Sequence, residues 1–189
     1  MSSTRLVSPA PDLDRWLAAP AVRTHHEREA AVDARALWRA AATVRIGDSG
    51  LLGRLVRWRV PGTRAGQTYA EMFATPPFLA LERDGTHLLS GLCGRIWTAR
   101  PALATLRGAG SFRDWREPGT VRVLFAQWVT PTADGSRLVS EVRVEPVDRG
   151  ASLRLRGLWP LIGRFEGLIG SEPLTLAVRR AESGRFERD

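Results

Sequence analysis

The chain contains no lysine and no asparagine; all 28 of its basic residues are arginine. Without lysine, Schiff-base chemistry and a Walker-type phosphate loop are both excluded. Both missing residues are read from A-rich codons, so a GC-rich genome accounts for the bias without a functional cause. There is one cysteine, Cys93. No internal disulfide can form, and a reducing cytoplasm is the expected setting. No apolar run reaches the roughly 18 residues that a membrane-spanning helix needs. The opening stretch MSSTRLVSPAPDLDRWLAAP has no continuous apolar segment after a basic start, so no secretory signal is expected. Histidine is scarce too. His25 and His26 are adjacent and on a strand would face opposite sides, while His87 stands alone at a hairpin. With a single thiol, this leaves no metal-ligand spacing, and neither metal nor cofactor is expected.

What is present is an ordinary globular balance: 189 residues, 43% apolar and 25% charged, enough for one domain. The net charge of +8 invites a nucleic-acid partner. The arginines, however, are spread evenly rather than gathered in a stripe, which argues against one. Two local groups, Arg54, Arg57, Arg59 and Arg64, and Arg149, Arg154 and Arg156, keep nucleic-acid binding as a further alternative.

Residues 1–20 are rich in Ser, Pro, Ala and Asp and read as an arm that Trp16 and Leu17 pin to the body. His26–Val32 reads as a first strand. Asp33 stands at an N-cap position ahead of ARALWRAAA, and Asp48 and Ser49 offer a second cap ahead of GLLGRLVRWRV. The period then changes. Segments 68–74, 78–83, 86–93, 111–116, 121–130 and 137–145 are short, apolar or β-branched, and turn signals such as Asp84-Gly85 and Asp134-Gly135 separate them. In the last of these, Leu138, Ser140, Val142 and Val144 share one face. After Asp148 a wide apolar stripe (Leu155, Leu158, Trp159, Ile162, Phe165, Leu168, Ile169) marks a long helix, with interruptions expected near Pro160 and Pro173. Residues 183–189 form a polar tail. Such a helix needs a partner surface, and the concave face of a twisted antiparallel sheet is the one available. Two layers meeting in that way often leave a space between them.

This order of elements resembles the helix-grip fold of the START/SRPBCC superfamily, which includes polyketide cyclases and steroid and lipid carriers. The motifs resemble an uncharacterised bacterial branch of it. A Gly-x-x-Gly-x-x-Trp strand is matched by Gly91, Gly94 and Trp97, and a Thr-Glu-Thr-Arg-Val strand by Ser140-Glu141-Val142-Arg143-Val144. A Tyr-Trp-Arg-Leu-Ile turn is matched by Leu158-Trp159-Pro160-Leu161-Ile162, and a following Gly-Leu-Ile by Gly167-Leu168-Ile169. The resemblance covers residues 21–182, between the arm and the tail. It implies an α+β domain: a curved antiparallel sheet of about seven strands around a long C-terminal helix, with two short helices after the first strand. It also implies an apolar, aromatic or polycyclic ligand held between sheet and helix. A cofactor-independent cyclase, dehydratase or aromatase on the same scaffold is the alternative.

The site residues expected for such a ligand are Trp97 and Trp159 as walls, Phe165 as floor, Arg95 and Gln127 as polar anchors, and Tyr69, the only phenol, as a donor. Seven tryptophans against one tyrosine favour a cavity lined by indoles, although each tryptophan is also a natural core residue. For the enzyme, Glu71 or Glu141 would act as acid or base, with Arg95 or Arg143 polarising a carbonyl. Glu141 and Arg143 are two apart on a strand and point the same way; the plainer reading of them is an ion pair on the outer face. Val123, Phe125 and Val129 share one strand face, and Leu124, Ala126 and Trp128 the other. A sheet apolar on both sides needs a second cover, from a homodimer partner or from the arm.

Overall fold

The computed structural model describes residues 10–60, 62–98 and 101–186, and the side chains of all of these except 160–170 and 185–186. The chain runs β1 (Val22–Ala30), α1 (Ala34–Ala42), a 3-10 turn (Ile46–Asp48), α2 (Leu51–Arg59), α3 (Tyr69–Met72), β2 (Leu79–Arg83), β3 (His87–Arg95), β4 (Ala102–Leu103), α4 (Ala109–Arg113), β5 (Val121–Pro131), β6 (Ser136–Pro146) and α5 (Arg149–Phe186). The six strands form one open antiparallel sheet in the order β1-β6-β5-β3-β2, with β4 paired to β3. The α+β class follows from these elements, with a C-terminal helix laid across one face of the sheet.

Local chemistry explains most of the boundaries. The Asp33 carboxylate accepts the Ala36 N–H at 2.9 Å and starts α1 as its sequence position predicts. Asp48 caps the 3-10 turn instead of α2, accepting the Arg45 N–H at 2.7 Å. The start of α2 is held from α5, where the Glu172 carboxylate accepts the Gly50 N–H at 2.9 Å.

Four expectations need correction. Segment 68–74 is not a strand. The Thr68 hydroxyl accepts the Glu71 N–H at 3.1 Å and the Glu71 carboxylate accepts the Thr68 N–H at 2.8 Å, a reciprocal pair of caps that nucleates α3. Segment 111–116 is not a strand either, since α4 occupies Ala109–Arg113, and among the described residues the sheet has six strands where about seven were expected. The first strand begins at Val22, four residues before the expected His26, because its ladder with β6 pairs Val22 with Val144 and ends at Ala30 with Ser136. Finally, α5 continues as one helix through Pro160 and Pro173.

Two glycines of the Gly-x-x-Gly-x-x-Trp strand have structural reasons. A Cβ on Gly91 would come within 2.6 Å of the Phe112 ring, which lies flat against β3 at that point. Gly94 has φ +143 and lets the Ala102 carbonyl of β4 approach its Cα, where a Cβ would sit 2.3 Å from that oxygen.

The sheet is buried on both faces. On the helix side Val121, Val123, Val129, Leu138 and Val144 pack with Leu37, Leu52, Leu155, Leu174 and Ala177. On the outer side Leu89, Cys93, Leu124, Ala126, Trp128 and Val139 are covered by Leu13, Trp16 and Leu17 of the arm and by Phe112 of α4. The arm is fastened there: the Trp16 Nε1–H donates to Glu82 at 2.7 Å, and the Leu17 carbonyl accepts from Arg143 Nη1 at 2.7 Å. Of the two covers that the sequence left open, the chain's own arm supplies one.

Candidate functional site

Between the sheet and α5 lies a cavity of about 250 Å³. Alternation along the strands builds its sheet wall: Val123, Phe125 and Gln127 of β5, and Ser140, Val142 and Val144 of β6. Of the β6 face that alternation sets apart, Ser140, Val142 and Val144 line the space. Leu52 and Val56 of α2 with Val60 just after it form one side, and Tyr69 and Met72 of α3 another. Leu88 and Leu92 of β3, Ile96, and Trp159 and Pro173 of α5 add to the lining. Phe73, Phe78 and Phe125 meet in a ring cluster with centroids 5.1–5.4 Å apart. The dominant aromatic wall is therefore phenylalanine, where indoles were expected.

The sheet wall changes polarity along the strands. One cross-strand row contains His26, Ser140 and Gln127, on β1, β6 and β5. The next contains Thr24, Val142 and Phe125, and the next Val22, Val144 and Val123. One end of the cavity is polar and the other aliphatic. The His26 Nε2 atom is enclosed and has no hydrogen-bond partner among the described residues. No carboxylate and no arginine lines the cavity among the described residues.

The expected site residues divide. Trp159, Gln127 and Tyr69 come together in the cavity. Burial pushes the Tyr69 phenol up to about 12, with the neighbouring Ser49 hydroxyl opposing it, and the group stays protonated at neutral pH. The Phe165 side chain lies outside the described residues. Arg95 and Trp97 are not in the cavity. They line a shallow outer groove with Thr98, Gly119, Asp148 and Arg154. It is Arg154, 5.9 Å from the ring centroid, whose guanidinium lies over Trp97. Arg95 is displaced because alternation along β3 turns Leu88 and Leu92 to the cavity and Leu89, Cys93 and Arg95 away from it, and Trp97 because β3 has ended at Arg95.

Glu71 is exposed and engaged as the cap of α3; hydrogen bonds from the Thr68 backbone and side chain hold its carboxyl below the usual carboxylate range. It borders an outer groove that shares Val60, Met72 and Phe78 with the cavity. Glu141 and Arg143 are on the outer face, as the plainer reading had it, but they are buried there at 2% and 7% exposure under the arm. One Glu141 oxygen accepts from Arg23 at 2.8 Å and lies 3.1 Å from His25 Nδ1; the other accepts from Arg143 Nε at 2.7 Å. Arg143 also donates to Asp14. Neither candidate carboxylate reaches the cavity.

Sequence reasoning missed His26, Thr24 and the phenylalanine cluster. Once β1 and β6 are paired, the alternation that places Ser140 inward places Thr24 and His26 inward with it.

Among the described residues, no helix is long and apolar enough to cross a membrane, and no group of three or more His, Cys, Asp and Glu residues is placed to hold a metal ion. No family pattern matches the chain and no curated protein does. Loose likenesses exist to solved structures. Protein NE0264 of Nitrosomonas europaea is 16% identical with a TM-score of 0.39, covering 86% of this chain and 96% of its own. Protein MLL2253 of Mesorhizobium loti is 16% identical with a TM-score of 0.30, covering 78% and 96%. Protein TTHA0849 of Thermus thermophilus is 10% identical with a TM-score of 0.35, covering 86% and 99%.

Proposed function

We propose that the protein is a helix-grip domain of START/SRPBCC type that binds a small, largely apolar molecule between its sheet and α5. The observation that carries this is the cavity of about 250 Å³ walled by Phe73, Phe78, Phe125, Val142 and Trp159. Its size lies just under the roughly 300–1,000 Å³ usual for small-molecule pockets, which suits a ligand of one or two rings. The groove bounded by Thr63, Gln67 and Thr75 meets the cavity at Val60, Met72 and Phe78, and these three side chains are the natural place for a ligand to pass. An enzyme working through Glu71 or Glu141 finds no support in the geometry, because both carboxylates lie elsewhere.

The test is titration of the protein with a panel of one- and two-ring compounds, read by saturable quenching of tryptophan emission. Val142→Trp, which fills the middle of the sheet wall, is the control: it should abolish the response while circular dichroism stays native. Absence of saturable binding across the panel, or a Val142→Trp variant that binds unchanged, defeats the proposal.

A further inference from the structure

The polar end of the cavity gives the ligand a chemical requirement. His26, Ser140 and Gln127 are consecutive members of one row across β1, β6 and β5, and all three line the space. Beyond them Leu138 and Val129 are buried at 1% and 2% exposure, and the row itself is half-buried, with the His26 Nε2 atom enclosed. An enclosed imidazole nitrogen without a partner is costly, and buried polar atoms in folded proteins almost always find one. Nothing among the described residues supplies it for His26 Nε2.

From this row we infer that the ligand is an uncharged one- or two-ring compound with a single hydroxyl group, seated with its oxygen among His26, Ser140 and Gln127 and its rings against Phe125, Val142 and Trp159. The inference rests on the cavity being a ligand site. Two chemical facts select a hydroxyl. It both donates and accepts, and so satisfies Nε2 in either imidazole tautomer, whereas a carbonyl can only accept. A carboxylate would bring a full charge into a space that no arginine lines among the described residues, at a large desolvation cost. The amide of Gln127 and the hydroxyl of Ser140 can each supply the second hydrogen bond to the oxygen.

The experiment compares naphthol, naphthalene and naphthoate by equilibrium dialysis. The wild-type protein should bind naphthol about tenfold more tightly than naphthalene, the advantage of one to two satisfied buried hydrogen bonds, and should bind naphthoate more weakly than naphthol. His26→Phe and Gln127→Leu should each bring the naphthol-to-naphthalene ratio to about twofold or less while naphthalene affinity is kept. Ser140→Ala, which removes a single oxygen, should lower the ratio in a variant whose folding is least disturbed. Equal binding of naphthol and naphthalene, a ratio that survives all three substitutions, or a preference for naphthoate overturns the inference and leaves the cavity reading standing. Failure to bind any of the three compounds takes away the cavity reading, and the inference with it.

Discussion

Glu141 has both of its oxygens engaged inside the protein, with Arg23 and His25 on one and Arg143 on the other. Burial by itself would raise its carboxyl, but the hydrogen bonds from Arg23, Arg143 and His25 together hold it below its ordinary value of 4.5. A carboxyl lowered by folding contributes stability that is present above its unfolded value and is lost as pH falls through the folded one. Stability should therefore hold from neutrality down to about the middle fours and then decline as Glu141 takes up a proton. Glu141→Gln leaves the buried Arg143 with Asp14 in place of two carboxylates, and should cost about 2 kcal/mol at neutral pH while flattening that acid decline. Urea titrations of both proteins at neutral and acid pH decide it; equal midpoints throughout would show that the buried pair contributes nothing.

At the level of elements, the arm behaves as a third layer. Leu17 is 1% exposed and its carbonyl is bonded to Arg143, so side chain and backbone both tie residues 10–20 to the outer face. Leu17→Ala should cost about 2–5 kcal/mol, the range for a fully buried leucine, measurable as a lower thermal midpoint. A loss under about 0.5 kcal/mol would mean that the arm is a surface decoration. This layer was only half legible in the sequence: Trp16 and Leu17 marked a pinning point, but the Ser, Pro and Asp around them gave no period. The long β5–β6 hairpin, α1 and α5 were legible because each has a clear apolar period. Helix α3 was misread because Thr68, Tyr69 and Phe73 favour strands, and side-chain caps decided the outcome against that preference. The polar row of the cavity could not be read at all from one segment. It depends on the register between β1 and β6, strands more than a hundred residues apart, which only the folded ladder fixes.

For the molecule as a whole, a sheet clothed on both faces means that its central strands are reached only by opening a layer. Cys93 lies on β3 at 0% exposure, within the outer cluster that the arm closes. Its burial pushes the thiol up to about 12, with Arg122 opposing more weakly, so the reactive thiolate is suppressed as well as hidden. A lone thiol so placed is a built-in reporter. Its rate of alkylation by a thiol reagent counts how often the arm lifts or the chain unfolds. Native protein should react slowly, Leu17→Ala should react faster in step with its lost stability, and saturation with a cavity ligand should slow both through mass action on the folded state. Immediate alkylation of the native protein would mean that the outer face is open to water.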